Sequence, residues 1–290
     1  MNNSSSSYVI LGSNGYIAPR HSKAIKENGG ILKSIIDIDF DNFVNIYPKK
    51  IKKFYSLDDY LNNEINLADF MCICSPNHLH EDQIESSLKA GMNIICEKPV
   101  AMSLEGLKKL QNIEKISPGK VNSIFQMRLH PEILKLKKKV SNREKYKIEF
   151  YYVGRRNIDY FNTWKGKDSL SGGIITNIGV HYFDLLLNIF GDYKNIEIKD
   201  NSTYKSSGEM QLENGNVSWL ISFDEKDKKK YLAKDLNSFR LLKVNDKELN
   251  LGYINQDLHS LSYKEILNGN GFSLDDAKMS IKFIDDVKKL

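Results

Sequence analysis

The first half of the chain alternates short apolar runs with longer amphipathic segments. Apolar runs of this length, bounded by glycine and polar turns, are typical of strands buried on both faces of a parallel sheet. The segments between them carry helix signals, such as capping serines at Ser56 and Ser103 and a terminating glycine at Gly91. We predict strands at Tyr8–Leu11, Ile31–Ile36, Phe54–Tyr55, Phe70–Cys74, Asn93–Cys96 and Val121–Gln126. This pattern predicts an α/β protein whose N-terminal part, residues 1–127, is a Rossmann domain.

The second half changes to an alternation of polar and apolar residues. Lys147–Val153 shows this period of two, and Asn214-Gly215 supplies a hairpin turn. We predict further strands at Lys194–Tyr204, Glu209–Leu212, Asn216–Asp224 and Ser238–Val244, and helices at Asp257–Leu267 and Leu274–Lys289. Residues 128–290 are expected to form an α+β domain on an open, mostly antiparallel sheet, with an exposed face suited to a homo-oligomer, a tetramer or dimer. Whether the final helices pack back on the first domain stays open.

An apolar helix opened by Gly172 and Gly173 departs from both patterns. It carries an amide, an imidazole and a carboxylate at Asn177, His181 and Asp184. Residues three or four apart share a helix face, so these groups form one polar stripe on an apolar helix. Such a stripe either satisfies itself inside the core or faces a site, and this segment alone leaves both interpretations open.

The composition and charge of the chain exclude some classes of partner. The 290 residues are 41% hydrophobic, and 42 basic against 37 acidic residues give a net charge of +5. The lysine runs lack aromatic interleaving and zinc-finger spacing, so we expect no nucleic acid partner, whereas an anionic small molecule fits the sign. The polar start of the chain and the lack of an apolar run of membrane length predict a cytoplasmic protein with no membrane contact. Cys72, Cys74 and Cys96 fall in predicted strands and are expected to be buried, reduced thiols.

A glycine-rich turn follows the first strand. Gly12, Asn14 and Gly15 lead into a helix, in a looser form of the turn whose backbone amides bind a pyrophosphate. Asp37 ends the second strand, where a dinucleotide fold places the carboxylate that binds the ribose hydroxyls. Because an acid there repels a 2′-phosphate, and the next residue is Ile38 rather than arginine, the predicted cofactor is NAD rather than NADP.

Polar residues also follow the later strands, at the sheet edge where open α/β folds bind ligands. They are Ser75, Asn77, His80, Glu97, Lys98 and Gln126. Lys98 is expected to point into the crevice over the nicotinamide end of the cofactor. His78 and His80 lack an acidic or cysteine partner at ligand spacing, so we assign them to a helix start and predict no metal.

Four segments, in this order, resemble the glucose-fructose oxidoreductase and inositol dehydrogenase family. They are Gly12–Ala18, Ser75–Asn77, Glu97–Pro99 and Gly172–Asp184. The resemblance implies a Rossmann domain joined to a domain with an open, mostly antiparallel sheet. In many family members an aspartate stands four residues before the histidine, where this chain has Asn177.

Shorter segments are similar to one branch of that family. They are Gly15–His21, Ile95–Pro99, Trp164–Gly166 and Thr176–His181, and asparagine at position 177 also matches the branch. The branch oxidises the 3-hydroxyl of UDP-N-acetylglucosaminuronic acid to a ketone during synthesis of bacterial surface polysaccharide (O-antigen). The resemblance therefore implies NAD as cofactor and a UDP-linked uronic acid as substrate, with 2-oxoglutarate reoxidising bound NADH in some members.

The predicted site residues follow from these features. A UDP-uronic acid carries a diphosphate and a carboxylate, so the pocket needs cations beyond Lys98. The predicted catalytic residues are Lys98 and His181. The predicted cofactor-binding residues are Gly12, Asn14, Gly15, Tyr16, Ile17, Asp37, Ser75, Asn77, His80, Glu97, Lys98 and Gln126. The predicted substrate-binding residues are Lys98, Arg128, Arg155, Arg156, Lys165, Thr176, Asn177 and His181.

Oxidation of a secondary alcohol needs a base for the hydroxyl proton and a donor for the developing oxyanion. We predict His181 as the base and Lys98 as the group that shares the proton or polarises the oxygen, and the sequence leaves open which of them holds the proton. Asn177 is expected to orient the sugar, and Asp184 to fix the tautomer of His181. Two alternatives remain on the same fold: a dehydrogenase of another sugar or polyol, and a non-catalytic NAD-binding sensor or regulator, which would be expected to lack the lysine or the histidine.

Overall fold

The structure is a computed structural model that describes residues 5–40, 46–252 and 257–290. The chain divides into two compact units. Unit 1 holds the described residues of 1–126 and 254–278, and unit 2 holds those of 127–253 and 279–290. The first division lies one residue before the predicted boundary, and a late segment of the chain belongs to unit 1 rather than to unit 2.

The secondary structure follows the predicted sequence of elements closely. The strands are β1 (Ser7–Leu11), β2 (Ile31–Ile36), β3 (Lys52–Phe54), β4 (Phe70–Ile73), β5 (Asn93–Cys96), β6 (Val121–Ser123), β7 (Tyr146–Gly154), β8 (Tyr193–Asn201), β9 (Lys205–Leu212), β10 (Gly215–Ser222), β11 (Ser238–Val244) and β12 (Lys247–Glu248). The helices are α1 (Ala18–Glu27), α2 (Leu57–Asn63), α3 (His80–Lys89), α4 (Leu104–Ile116), α5 (Pro131–Lys139), α6 (Ile158–Asn162), α7 (Asp168–Ser171), α8 (Val180–Phe190), α9 (Glu225–Tyr231), α10 (Leu258–Leu267) and α11 (Leu274–Lys289).

Unit 1 is built on a six-stranded parallel sheet with the order β3-β2-β1-β4-β5-β6. The strand order reverses between β1 and β4, and open sheets of this kind bind ligands in the crevice at such a switch point. The predicted helix caps are present, since Ser56 Oγ accepts from the Asp59 N–H and Ser103 Oγ from the Gly106 N–H, each at 3.0 Å. The prediction of a Rossmann domain is confirmed.

The apolar strands of unit 1 form its core, as their composition predicted. Cys72, Cys74 and Cys96 are buried and free, which confirms the expectation of reduced thiols. Burial raises the pKa of the Cys72 thiol to about 12, so it stays protonated and unreactive at neutral pH. The late helix α10 packs on α1 and adds Tyr263 to the same core.

Unit 2 is built on a second six-stranded sheet with the order β12-β11-β7-β10-β9-β8. Its neighbouring strands are antiparallel except for β7 and β10, and the turn Glu213–Asn214 joins β9 to β10 as a hairpin. Helix α8 packs on this sheet, where Phe183 contacts Trp219 edge-on and Tyr182 stacks on Phe150 at 3.9 Å between ring centroids. The prediction of an open, mostly antiparallel sheet is confirmed.

One expectation from the sequence needs correction. Asp168–Phe190 forms a stretch that is long and apolar enough to cross a membrane, although no such run was predicted. Of its apolar window, 78% is buried inside the structure, as expected for the core helix of a globular unit. Asp168 is the first residue of the stretch and the glycine pair Gly172 and Gly173 lies within it, which is why its helical length was missed.

Candidate functional site

The glycine turn of unit 1 has the close backbone packing that a pyrophosphate site needs. Gly12 has a φ of +79°, and a Cβ on it would lie 2.7 Å from the Ser75 nitrogen. Gly15 lies against the Gly12 carbonyl, which accepts from its N–H at 3.0 Å. Only glycine fits at position 12. The turn places its backbone N–H groups at the start of α1, where the helix dipole favours an anion.

Asp37 lies where the sequence placed it, at the end of β2. Its Oδ2 accepts from the Asn14 N–H at 2.7 Å, so the carboxylate is tied to the glycine turn. This contact leaves acceptor capacity on the carboxylate for ribose hydroxyls. Tyr16 and Ile17 complete the turn before α1, and Tyr16 is exposed.

Ser75, Asn77 and His80 cluster after β4. Ser75 Oγ donates to Gln83 Oε1 at 2.5 Å, and Asn77 is buried in the turn that starts α3. The ring nitrogens of His80 lie 2.7 Å from the Pro99 carbonyl oxygen and 2.8 Å from the Ser75 carbonyl oxygen. His80 therefore connects the turn after β4 to the turn after β5.

Glu97 is held by two histidines of unit 1. Its Oε1 lies 3.0 Å from His21 Nε2 and 3.0 Å from His259 Nε2, and all three residues are buried. Burial alone would raise the pKa of Glu97, but the hydrogen bonds from the two histidines hold it well below its usual range. The carboxylate is thus ionised and held from α1 and α10, immediately before Lys98.

The residues of unit 1 fit an NAD cofactor. The described part of the chain leaves one buried acceptor at the predicted nicotinamide end without a hydrogen-bond partner, Gln126 Oε1. A buried amide oxygen of this kind needs a donor, and a nicotinamide carboxamide would supply one. Together with the glycine turn and Asp37, this acceptor supports a dinucleotide in the crevice.

The polar stripe of unit 2 lies on a distorted helix. Gly172 and Gly173 have φ values of +78° and +77°, and Thr176 Oγ1 donates to the Gly172 carbonyl at 2.6 Å. A wide π-helical turn, Ile175–Gly179, then leads into α8. Such single turns are frequent at functional sites, and this one changes the regular spacing assumed between Asn177 and His181. His181 is partly exposed in the first turn of α8, and Asn177 Nδ2 donates to Tyr160 Oη at 3.0 Å.

Arg128 and Asp184 form a buried, bidentate ion pair in unit 2. Arg128 Nε donates to Asp184 Oδ2 at 2.8 Å, and Arg128 Nη2 donates to Asp184 Oδ1 at 2.6 Å. Arg128 was predicted to bind substrate and Asp184 to fix the tautomer of His181. The structure pairs the two side chains with each other, and this ion pair supports α8.

Replacing Asp184 with asparagine is expected to lower the free energy of unfolding by about 3–5 kcal/mol. The change keeps the side-chain shape but leaves the buried Arg128 guanidinium without its counter-charge. Urea denaturation followed by circular dichroism measures the loss. Glu225→Gln is the matched control, because Glu225 pairs with Lys228 at the surface, and its denaturation midpoint should stay unchanged. A loss for Asp184→Asn below about 1 kcal/mol would contradict a structural role for the pair.

The other predicted cations of unit 2 differ in the contacts that they make within the protein. Arg155 is exposed and fastens a loop, since its Nε donates to the Leu236 carbonyl at 3.0 Å. Arg156 donates to Tyr152 Oη at 2.9 Å and lies over the ring of Tyr160, 5.2 Å from its centroid. Burial and the nearby Arg156 charge lower the pKa of Lys165. Arg156 and Lys165 thus place positive charge close to Tyr160 and its partner Asn177, where an anion would be favoured.

Sequence reasoning missed two sets of residues. Tyr160 joins Asn177 to Arg156, and no spacing signal marks it because it lies on the short helix α6. His21 and His259 both contact Glu97, and Tyr263 contacts His21. The signal available was the glutamate itself, because a carboxylate directly after a buried strand needs polar partners. The three ligand-type side chains of this cluster lie within 4.8 Å of one another.

Comparison with known proteins places the chain among oxidoreductases. The model of the Gfo/Idh/MocA oxidoreductase family, NAD-binding Rossmann fold, matches residues 6–123, and that of its C-terminal alpha/beta domain matches residues 144–232. An inositol 2-dehydrogenase from Rhizobium meliloti is 26% identical over 129 residues, which are 43% of this chain and 37% of that protein. A glucose-6-phosphate 3-dehydrogenase from Bacillus subtilis is 24% identical over 217 residues, which are 70% of this chain and 60% of that protein. The chain thus spans less than two thirds of the length of these curated relatives.

Solved structures match over nearly the full chain. The WlbA (WbpB) dehydrogenase from Thermus thermophilus, in complex with NAD and UDP-GlcNAcA, is 31% identical with a TM-score of 0.90. The match covers 98% of this chain and 95% of that one. The same Thermus enzyme in complex with NAD and alpha-ketoglutarate matches with a TM-score of 0.88 at 31% identity over 98% of this chain and 95% of that one. The WlbA dehydrogenase from Bordetella pertussis is 17% identical with a TM-score of 0.81, covering 100% of this chain and 96% of that one, which shows the shared fold.

Proposed function

The chain belongs to the Gfo/Idh/MocA family of oxidoreductases, and from this premise we propose that it is an NAD-dependent dehydrogenase of a UDP-linked sugar. The substrate we assign is UDP-N-acetylglucosaminuronic acid, whose 3-hydroxyl becomes a ketone in the synthesis of bacterial surface polysaccharide. The observation that carries this assignment is the likeness, at 31% identity over 98% of the chain, to a dehydrogenase solved with NAD and UDP-GlcNAcA. The cations Arg156 and Lys165 support an anionic substrate.

Unit 1 supplies the residues that would hold the cofactor. The amides of the turn from Gly12 to Ile17 suit the pyrophosphate, Asp37 suits the ribose hydroxyls, and Gln126 suits the carboxamide. When bound, NAD supplies the acceptor for the hydride that leaves the carbinol carbon. Lys98 follows the ionised Glu97 at the carboxyl edge of the sheet, which is the ligand edge of such a fold.

Lys98 and His181 then share the proton chemistry of the hydroxyl. His181 accepts the hydroxyl proton at a ring nitrogen, and Lys98 donates a hydrogen bond from Nζ to the oxygen as its negative charge develops. Asn177, held by Tyr160, orients the sugar as a neutral group. Arg156 and Lys165 favour the carboxylate or diphosphate by charge, whereas Arg128 acts through its ion pair with Asp184.

The product NADH has to be reoxidised for further turnover. We include 2-oxoglutarate as the oxidant, because the Thermus enzyme was solved with NAD and alpha-ketoglutarate. A 2-oxo acid accepts the hydride at its ketone carbon and a proton at its oxygen, so His181 returns the proton that it took from the sugar and Lys98 again donates a hydrogen bond to the oxygen. The same two groups therefore serve both half-reactions.

The purified protein should convert UDP-N-acetylglucosaminuronic acid and 2-oxoglutarate into a 3-keto sugar and 2-hydroxyglutarate. Mass spectrometry identifies both products, and NADH absorbance follows the first half-reaction. UDP-N-acetylglucosamine, which lacks the carboxylate, is the matched control and should be slower by about 10²-fold in kcat/KM, because the half-buried cations Arg156 and Lys165 would lose the anion that they favour. Faster oxidation of myo-inositol or glucose 6-phosphate would remove the named substrate and favour another sugar or polyol.

A further inference from the structure

A buried polar cluster adjoins Lys98, and the proposed mechanism does not use it. Glu97 Oε1 lies 3.0 Å from His21 Nε2 on α1 and 3.0 Å from His259 Nε2 on α10. His21 Nδ1 lies 2.8 Å from Tyr263 Oη, which lies 3.1 Å from Cys72 Sγ. His21 and Tyr263 have no exposed surface, and His259 is 1% exposed. The residue before Lys98 is therefore held from two helices at once.

One arrangement of protons fits this geometry. Glu97 is ionised and can only accept, so each histidine must carry its proton on Nε2 to bond the shared oxygen. Burial lowers the pKa of His21, so its ring is neutral near pH 7. In the described part of the chain His259 Nδ1 is buried without a hydrogen-bond partner, and the carboxylate oxygen Asp257 Oδ1 is 4.0 Å away. Both Nε2–H groups of the cluster therefore donate to the same oxygen of Glu97.

The same side chains could in principle ligate a cation. Two features favour hydrogen bonding instead. Both nitrogen-to-oxygen distances, 3.0 Å, are ordinary hydrogen-bond lengths, and both nitrogens meet the same oxygen. A metal would also have to displace both Nε2 protons from a buried carboxylate that these protons stabilise.

We propose that His21 and His259 are positioning residues that act through Glu97 to fix Lys98. The inference rests on the proposed role of Lys98 in the reaction. His259 lies 162 residues beyond Glu97 in the chain, so α10 is the element that completes the site of unit 1. On the other side of Lys98, His80 holds the Pro99 carbonyl oxygen at 2.7 Å, so the backbone on both sides of the lysine is anchored.

The test compares three variants of α10. His259→Leu removes the donor, His259→Gln returns an N–H donor of similar reach, and Ser262→Ala alters a buried neighbour whose hydroxyl bonds the Leu258 carbonyl. We expect His259→Leu to lower kcat by about 10- to 100-fold, because displacement of a catalytic group by about 1 Å costs this much. His259→Gln should recover most of the loss, and Ser262→Ala should match the wild type. The dissociation constant of NAD, measured by fluorescence titration, should stay within about threefold in all of them.

Two readouts do not depend on the sugar. Nitrogen-15 spectra of the rings should show a proton on Nε2 of both histidines in the wild-type protein. Labelling of lysines by acetic anhydride, read by mass spectrometry with Lys89 as internal reference, should differ at Lys98 between His259→Leu and the wild-type protein, because the ammonium group is no longer held in one position. If the protein proves inactive on the named sugar, these measurements still decide the inference.

Several results would contradict the positioning role of the two histidines. Equal kcat and equal Lys98 labelling in folded His259→Leu and wild-type protein would overturn the proposal, and so would a loss in Ser262→Ala as large as that in His259→Leu. An Nδ1–H tautomer for either ring would remove its bond to Glu97. One equivalent of tightly bound zinc in the purified protein, lost in Glu97→Gln, would replace the proposal with a metal site.

Discussion

Replacing Lys98 with methionine is expected to lower kcat/KM for UDP-N-acetylglucosaminuronic acid by about 10³- to 10⁴-fold. Methionine keeps the unbranched apolar stem of lysine but removes the ammonium group, so the developing oxyanion loses its donor. This interaction strengthens as charge develops, so the loss should fall on kcat more than on KM. Initial rates of NADH formation at saturating NAD measure the effect.

Two controls separate chemistry from binding and folding. NAD should bind Lys98→Met with a dissociation constant within about threefold of the wild-type value, because the glycine turn and Asp37 are untouched. Lys89→Met removes an exposed lysine that pairs with Glu85 on α3, and its rate should be unchanged. A Lys98→Met protein that keeps more than about a tenth of the wild-type rate would contradict the role proposed for the ammonium group.

Replacing His181 with asparagine is expected to lower kcat/KM by about 10²- to 10³-fold and to change its pH dependence. A protonated imidazole cannot accept the hydroxyl proton. The wild-type kcat/KM should therefore fall towards acid pH, whereas the variant should lose that acidic limb. A full pH profile of both proteins provides the measurement.

The matched control is His130→Asn, because His130 caps α5 and asparagine is a good helix cap. Its profile should match the wild type. The double variant Lys98→Met/His181→Asn adds a second check. If the two groups act on one hydroxyl, the double variant should lose little more than the worse single variant. Fully multiplicative losses would mean that they act in separate steps, and an unchanged acidic limb in His181→Asn would move the base to Lys98.

The sequence was most informative in unit 1, for a physical reason. Parallel strands covered on both faces must be apolar throughout, so β2 and β5 were predicted with the observed bounds, and caps such as Ser103 marked the helix starts. The strand β6 was predicted to Gln126 but ends at Ser123, because the apolar run continues through residues buried in the following turn. The helix α9 was missed because its lysine-rich sequence has no apolar period, and its cap Asp224 was the only local signal.

Side-chain partners were the part that the sequence could not provide. Arg128 meets Asp184 across 56 residues, and Glu97 meets His259 across 162. Local spacing pointed to His181 as the partner of Asp184, three residues away on the same helix, and gave no sign of Arg128. The π-helical turn at Ile175–Gly179 likewise follows no propensity rule. It lies between the glycine pair and α8, in contact with β10 of the unit 2 sheet. Residue types at the site were thus predictable, while their pairing required the fold.

Deuterium transfer tests the central claim most directly. UDP-N-acetylglucosaminuronic acid carrying deuterium at C3 is incubated with the protein and NAD, and the reduced nucleotide is analysed by mass spectrometry and proton NMR. The proposed oxidation predicts one deuterium at C4 of the nicotinamide ring and its later appearance at C2 of 2-hydroxyglutarate. Reduced nucleotide without deuterium, or deuterium retained in the sugar during turnover, would contradict oxidation at the 3-hydroxyl.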